Sequence, residues 1–222
     1  VIVVVGSPLH RPGSATEPPA AAGLAAGIAA AAAAAGRDVQ LVGRVGEDPA
    51  GEATLLALAR SGIGHVATLR DPVHPTPAVR ALADDDRFPI EELDRATDAD
   101  PASSLGPPGS ATLDRGDVEL ALRYLDGFAV LVVAEPLDLP ALTVTADAAA
   151  YAGATLVLLV RDGDEPAAPD DAIVLAAPDA DPDGVFARTI GRFAAELDAG
   201  ADPEVALAAA TAAGGWERTA DG

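Results

Sequence analysis

The sequence predicts an α/β protein built on one doubly wound, mostly parallel sheet. Short runs of Val, Ile and Leu recur along the chain, too uniformly apolar for strands with one wet face. Between them lie longer segments rich in Ala and Leu. Several of these carry helix punctuation, with Pro or Asp at the start and Gly just past the end. Strands alternating with helices indicate a parallel sheet whose crossovers are the helices.

Taken in order, Val1 to Val5 is a β-branched run that reads as a strand buried on both faces. Gly6 to Pro19, with four prolines, reads as a loop, and Ala20 to Ala35 as a helix closed by Gly36. Asp38 to Gly46 is a strand, and Pro49 to Arg60 a helix with Pro at its first position. Val66 to Arg70 and Ala78 to Ala83 are short strands. Residues 84–116, with three consecutive Asp and several prolines, read as a long surface excursion. Then follow an Asp117-capped helix to Asp126, a strand from Ala129 to Ala134, a helix from Leu139 to Ala152 and a strand from Thr155 to Val160. A strand at Ala172 to Ala176 and helices at Gly184 to Leu197 and Pro203 to Ala213 complete one domain over residues 1–222.

Composition narrows the function. Half of the residues are apolar but aromatics are only 3%, so the core rests on Ala, Val and Leu. The formal charge is −21 and the isoelectric point near 4.2. Nucleic acid and anionic membranes are excluded as partners by that field. All 14 basic residues are Arg, a Lys-free balance that fits a GC-rich genome and a high-salt cytoplasm. With no Cys, disulfide and thiolate chemistry are absent. No apolar run is long enough to span a bilayer, and a cytoplasmic location is expected.

Motifs for common chemistries are missing. The sequence has no G-x-x-x-x-G-K-[ST] and no G-x-G-x-x-G at a strand–helix turn, nor a G-x-S-x-G elbow. His10, His65 and His74 are scattered and unsupported by Cys, so no metal site is expected. The serines suit turns and caps.

The segment from Leu41 to Ile63 is more specific. Its strand runs into Gly46-Glu47-Asp48-Pro49-Ala50-Gly51, an apolar helix, Gly62, a strand and Pro75-Thr76. This block resembles the ribokinase (PfkB) family of carbohydrate kinases, in the order strand, G-x-D-x-x-G, helix, G-[VI], strand, P-T. The tail from Gly200 to Ala213 is similar to the family's closing G-A-D-x-x-x-A-L-x-x-A. The resemblance implies a ribokinase-like three-layer sandwich, here with a reduced C-terminal nucleotide half. It also implies ATP-dependent phosphorylation of a sugar or nucleoside hydroxyl, with ATP and Mg²⁺ as cofactors if the protein is active.

Three family motifs are altered. The N-terminal Gly-Gly-x-x-Ala-Asn pattern falls on Ala22 to Gly27, which keeps Gly23 but has Gly27 where the sugar-binding Asn stands. Gly23 and Gly27 are the substrate-binding positions the resemblance implies, although small residues at helical spacing also suit close packing. The loop after the first strand lacks the family's Asp and offers His10 and Arg11, of which Arg11 suits an anionic ligand. The C-terminal Gly-Ala-Gly-Asp, which binds phosphate at a helix start and supplies the base, falls on Asp181-Pro182-Asp183-Gly184. By the resemblance Gly184 marks the phosphate site and the neighbouring Asp183 is the candidate base; as residues, Asp181 and Asp183 read as helix caps.

Two functions follow: a carbohydrate kinase, or a catalytically degenerate protein of that fold acting as a small-ligand-binding or interaction module. Expected partners are a small-molecule ligand and a second copy of the chain in a homodimer. With 35 acidic and 14 basic residues, the melting temperature is expected to rise as KCl increases into the molar range, where the Debye length falls to about 3 Å. A flat response in a thermal-shift series would assign the composition to GC bias.

Overall fold

The structure is a computed structural model that describes residues 1–79, 113–161, 163–164 and 168–214. Most of the expected surface excursion, together with residues 80–83 of the expected strand, lies outside the described residues. The remaining part, 113–116, belongs to the folded body: Leu113 is buried and a helix begins at Arg115.

One sheet holds the chain together. Its strands are β1 (Ile2–Val5), β4 (Val39–Gly46), β5 (Ile63–Gly64), β6 (Thr68–Asp71), β7 (Val130–Val133), β8 (Thr155–Arg161) and β9 (Ile173–Ala177). They run in the order β5-β4-β1-β7-β8-β9, all pairs parallel, with β6 also paired to the far end of β4. Every apolar run expected as a central strand falls in this sheet. The short β5 was not apparent in the sequence, since two residues give no period. β2 (Leu9–Arg11) and β3 (Ala20–Ala22) form a separate antiparallel hairpin over the rim.

That hairpin corrects two expectations. Leu9–Arg11 lies inside the expected loop, and Ala20–Ala22 was read as the start of a helix. Pairing with Leu9, His10 and Arg11 holds the three alanines extended, so α1 spans Gly23–Ala34. Alanine's helix propensity is a weak prior that such cross-chain pairing overrides.

The other helices match the sequence closely. They are α2 (Pro49–Arg60), α3 (Arg115–Leu122), α4 (Leu139–Ala152), α5 (Val185–Asp198) and α6 (Pro203–Gly214). α3 starts earlier than expected because Asp114 is the cap. Its carboxylate accepts from Asp117 N at 2.9 Å, while Asp117 reaches back to Asp114 N at 2.9 Å. This reciprocal capping box fixes the first turn.

Strand parity sorts the helices into two outer layers. Ile2, Val4, Leu41, Val130, Val132, Val157 and Leu159 face one side, where α1, α2, α5 and α6 pack. Val3, Val5, Val42, Leu131, Val133, Leu156 and Leu158 face the other, under α3 and α4. The result is a three-layer sandwich. No described helix is long and apolar enough to cross a membrane.

Small residues set the α1–α5 contact. A Cβ on Gly191 would lie 2.5 Å from the carbonyl oxygen of Ile28 and 2.6 Å from Ala31 Cβ, and one on Gly27 would lie 2.9 Å from Ala187 Cβ. Gly191→Ala is expected to destabilise the fold. Overpacking costs about 1–3 kcal/mol, against about 1 kcal/mol gained in helix propensity. A urea melt showing no loss would overturn this account of the crossing.

Candidate functional site

Because the sheet is parallel, the carboxyl ends of β1, β4, β6 and β7 share one rim. The chain leaves β1 for β4 on one side, and β7 takes the other side of β1. Such a reversal of strand order opens a crevice where open α/β sheets bind ligands.

The β4 side of the rim is a latch. Asp48 caps α2 through Gly51 N (2.7 Å) and reaches across to Thr76 N (2.8 Å) and Thr76 Oγ1 (2.8 Å). Thr76 Oγ1 also accepts from Gly46 N at 2.8 Å. A Cβ on Gly46 would lie 2.7 Å from Thr76 N and 2.8 Å from the carbonyl oxygen of His74. The spacing of Gly46, Asp48, Gly51 and Pro75-Thr76 is thus explained by one structural knot. Burial pulls the Asp48 carboxyl upward, but the bonds from Thr76 and Gly51 outweigh it and hold the group below the usual carboxylate range.

The hairpin is pinned to the same side. His10 N donates to the carbonyl oxygen of Pro77, and Val79 N to that of His10, both at 2.8 Å. His10 Nδ1 lies 3.2 Å from Thr54 Oγ1, which itself donates to the Ala50 carbonyl at 2.8 Å. Burial lowers the His10 pKa, with Asp48 opposing.

At the centre of the rim stands Glu135, just past β7. Its Oε2 accepts from Ser7 N at 2.7 Å, and its Oε1 lies 3.5 Å from Leu113 N. Burial raises its pKa, against the Ser7 and Leu113 bonds and the nearby Arg44 charge. A carboxylate offers about four acceptor positions, and Ser7 N, the Ser7 hydroxyl and Leu113 N account for three of them among the described residues. The sequence reading passed over this residue. Its one signal is an acid placed directly after a fully apolar strand, at the end where parallel sheets bind ligands.

Arg44 spans the rim. Its Nη2 lies 2.6 Å from Asp117 Oδ2 and its Nη1 3.4 Å from Asp71 Oδ2. Its backbone N donates to Ser7 Oγ at 3.1 Å. Despite burial, these carboxylates raise its pKa. Asp71 accepts from Val73 N at 2.8 Å, His74 N at 3.1 Å and His74 Nδ1 at 2.9 Å. The Val73 bond leads the causes that lower its pKa to about 2.

The motif-derived residues are dispersed. Gly23 begins α1 in a left-handed conformation against Leu9, while Gly27 lies at the α1–α5 crossing, in a packing role. Arg11 is exposed at the end of β2 and makes no ion pair among the described residues. At the start of α5, Asp181 takes the helix N–H groups, with Oδ1 3.0 Å from Phe186 N and Oδ2 2.8 Å from Ala187 N. Gly184 is the N-cap in a left-handed conformation. Asp183 is exposed, and its carbonyl accepts from Arg188 Nη1 at 2.6 Å. Capping thus falls to Asp181 and not to Asp183. A resident carboxylate therefore holds two of the N–H donors of this terminus, the kind of group that otherwise favours a bound anion at a helix start. Among the described residues no group of His, Asp and Glu is arranged to hold a metal ion.

No protein-family model matches the sequence, and no curated protein matches it. Solved structures do. The chain is similar to Arabidopsis thaliana ribokinase complexed with ribose and ATP, at 18% identity over 96% of this chain and 90% of that one, with a TM-score of 0.59. It is also similar to Escherichia coli phosphofructokinase-2 in complex with fructose-6-phosphate, at 15% identity over 96% and 92%, TM-score 0.56. A tetrameric inhibited form of that enzyme gives 15%, the same shares and 0.59. The chain therefore has the ribokinase-like fold of these carbohydrate kinases.

Asp71 and Glu135 give opposite pH behaviour. The folded pKa of Asp71, about 2, lies below its unfolded value of about 3.9. Its contribution is present above about pH 4 and lost as pH falls through about 2. The Glu135 pKa is raised, so the folded state binds its proton more tightly and the ionised form costs stability at neutral pH. Relative to Glu135→Gln, the wild type is expected to gain stability as pH falls from neutral towards the ordinary Glu range. Parallel melting curves for the two proteins that ignore pH would contradict this.

Proposed function

We propose that this protein is a ribokinase-fold module that binds a small hydroxyl-bearing ligand at the rim but does not transfer phosphate at the start of α5. The observation that carries this reading is the Asp181 carboxylate on Phe186 N and Ala187 N. Phosphoryl transfer depends on positioning and electrostatic stabilisation, and here the donors are committed to an internal anion.

Ligand binding rests on different groups. Glu135 has a carboxylate with acceptor capacity at the switch point, and Ser7 stands beside it at the end of the central strand. Ribose, carried by one similar kinase together with ATP, is a suitable probe of hydroxyl recognition. Gly23 and Arg11, at the hairpin and the start of α1, would line the outer part of such a site. A homodimer in the cytoplasm is part of the same proposal.

Calorimetry separates this reading from the kinase. Ribose is expected to bind saturably, and Glu135→Gln to weaken it about tenfold, or about 1.4 kcal/mol, in keeping with the net worth of one hydrogen bond. ATP with Mg²⁺ is expected to give no saturable binding at millimolar concentration. Ribose-dependent ADP formation that disappears in Asp183→Ala would overturn the reading and make Asp183 the base of a working kinase.

A further inference from the structure

The rim contains a constellation that starts at Glu135 and Ser7 and continues through groups the proposed function does not use. Five groups form a continuous series of contacts from its buried centre to its exposed mouth. Glu135 Oε2 accepts from Ser7 N at 2.7 Å, and Ser7 Oγ accepts from Arg44 N at 3.1 Å. Arg44 Nη1 lies 3.4 Å from Asp71 Oδ2, and the same oxygen is 2.9 Å from His74 Nδ1. Asp71 is 9% exposed and His74 57% exposed.

The protonation of His74 follows from this geometry. Asp71 is ionised at neutral pH and can only accept hydrogen bonds. Nδ1 of His74 must then carry the proton, which in the neutral ring leaves the lone pair on Nε2. The Asp71 carboxylate is itself fixed. Oδ1 holds Val73 N and His74 N, and Arg44 secures Oδ2 from the other side. Asp117 restrains Arg44 in turn at 2.6 Å. The imidazole is thus oriented by a group that is oriented on every side, which is more than a solvated loop histidine needs.

We propose that Asp71 and His74 form a carboxylate–imidazole dyad whose Nε2, unpartnered among the described residues, accepts a hydrogen bond from a hydroxyl of a polyol ligand at the mouth of the rim. The ligand O–H donates to the Nε2 lone pair, and no covalent bond forms or breaks. Asp71 acts as a positioning residue, and Arg44 keeps it in place. The inference rests on the reading of the rim as a hydroxyl-binding site.

Carbethoxylation with diethyl pyrocarbonate, followed residue by residue by mass spectrometry, tests the dyad. Nε2 attacks the reagent's carbonyl, and CO₂ and ethanol leave. The chain's three histidines provide internal controls. Asp71→Asn is expected to slow His74 several-fold while His10 and His65 keep their rates, which also reports an intact fold. Ribose is expected to protect His74 in the wild type. Nitrogen NMR should place the proton on Nδ1 in the wild type and shift it towards Nε2 in the variant.

An unchanged His74 rate in Asp71→Asn, or a wild-type ring protonated on Nε2 alone, would overturn the dyad. Ribose that binds in a Glu135-dependent manner yet leaves His74 unprotected would overturn its part in ligand recognition and spare the rim site. If ribose does not bind at all, the rim reading fails, and the rate and tautomer comparisons decide the dyad by themselves.

Discussion

Burial of β1 on both faces is the constraint on which the remainder of the structure is arranged. Its four residues are fully excluded from water, and burying side chains of that size is worth about 1.5–3 kcal/mol each. Two opposite sets of side chains on one strand require helices above and below. β1 therefore calls for α1 and α5 on one face and α3 and α4 on the other. It also supplies the two sides on which β4 and β7 pair, and so creates the point where strand order reverses. The candidate site lies there because the most deeply buried strand ends there.

The second organising feature is the knot of Asp48, Thr76, Gly46 and Gly51. It joins the end of β4, the start of α2 and the segment after β6 through side-chain bonds of 2.7–2.8 Å. Arg44, two residues before Gly46, is thereby held between Asp71 and Asp117. Within the block that carried the family resemblance, Gly46, Asp48, Gly51 and Thr76 are thus committed to one another. This is why the fold was more legible than the activity.

Legibility in the sequence followed the range of the interactions involved. β4, α2 and α4 could be read almost to the residue, since each has a strong period and a local start signal. The β2–β3 hairpin was hidden because three alanines carry no strand signal until Leu9, His10 and Arg11 pair with them. Asp117 was taken for a cap when the box belongs to Asp114, an ambiguity that two acids at i and i+3 produce in any sequence. At the site, the links from Glu135 to Ser7, from Ser7 to Arg44 and from Arg44 to Asp71 join residues distant in sequence, which no spacing rule could bring together; only Asp71 and His74 are near neighbours in the chain. Gly27 was legible both as a sugar-binding position and as a packing residue, and Asp183 both as a candidate base and as a cap; the structure places Gly27 at the α1–α5 crossing and gives the capping bonds to Asp181.

The bidentate seat of Asp181 has a mechanical consequence. Its two carboxylate oxygens hold consecutive N–H groups of α5 at Phe186 and Ala187, and its carbonyl oxygen accepts from Gly184 N. One residue thus fastens both the turn that enters the helix and the first turn of the helix itself. Removing its side chain would free the helix start while leaving the turn, at a cost of about 1 kcal/mol for a lost cap. α5 is also the partner of α1 across Gly27 and Gly191, so play at this clasp would be transmitted to that crossing.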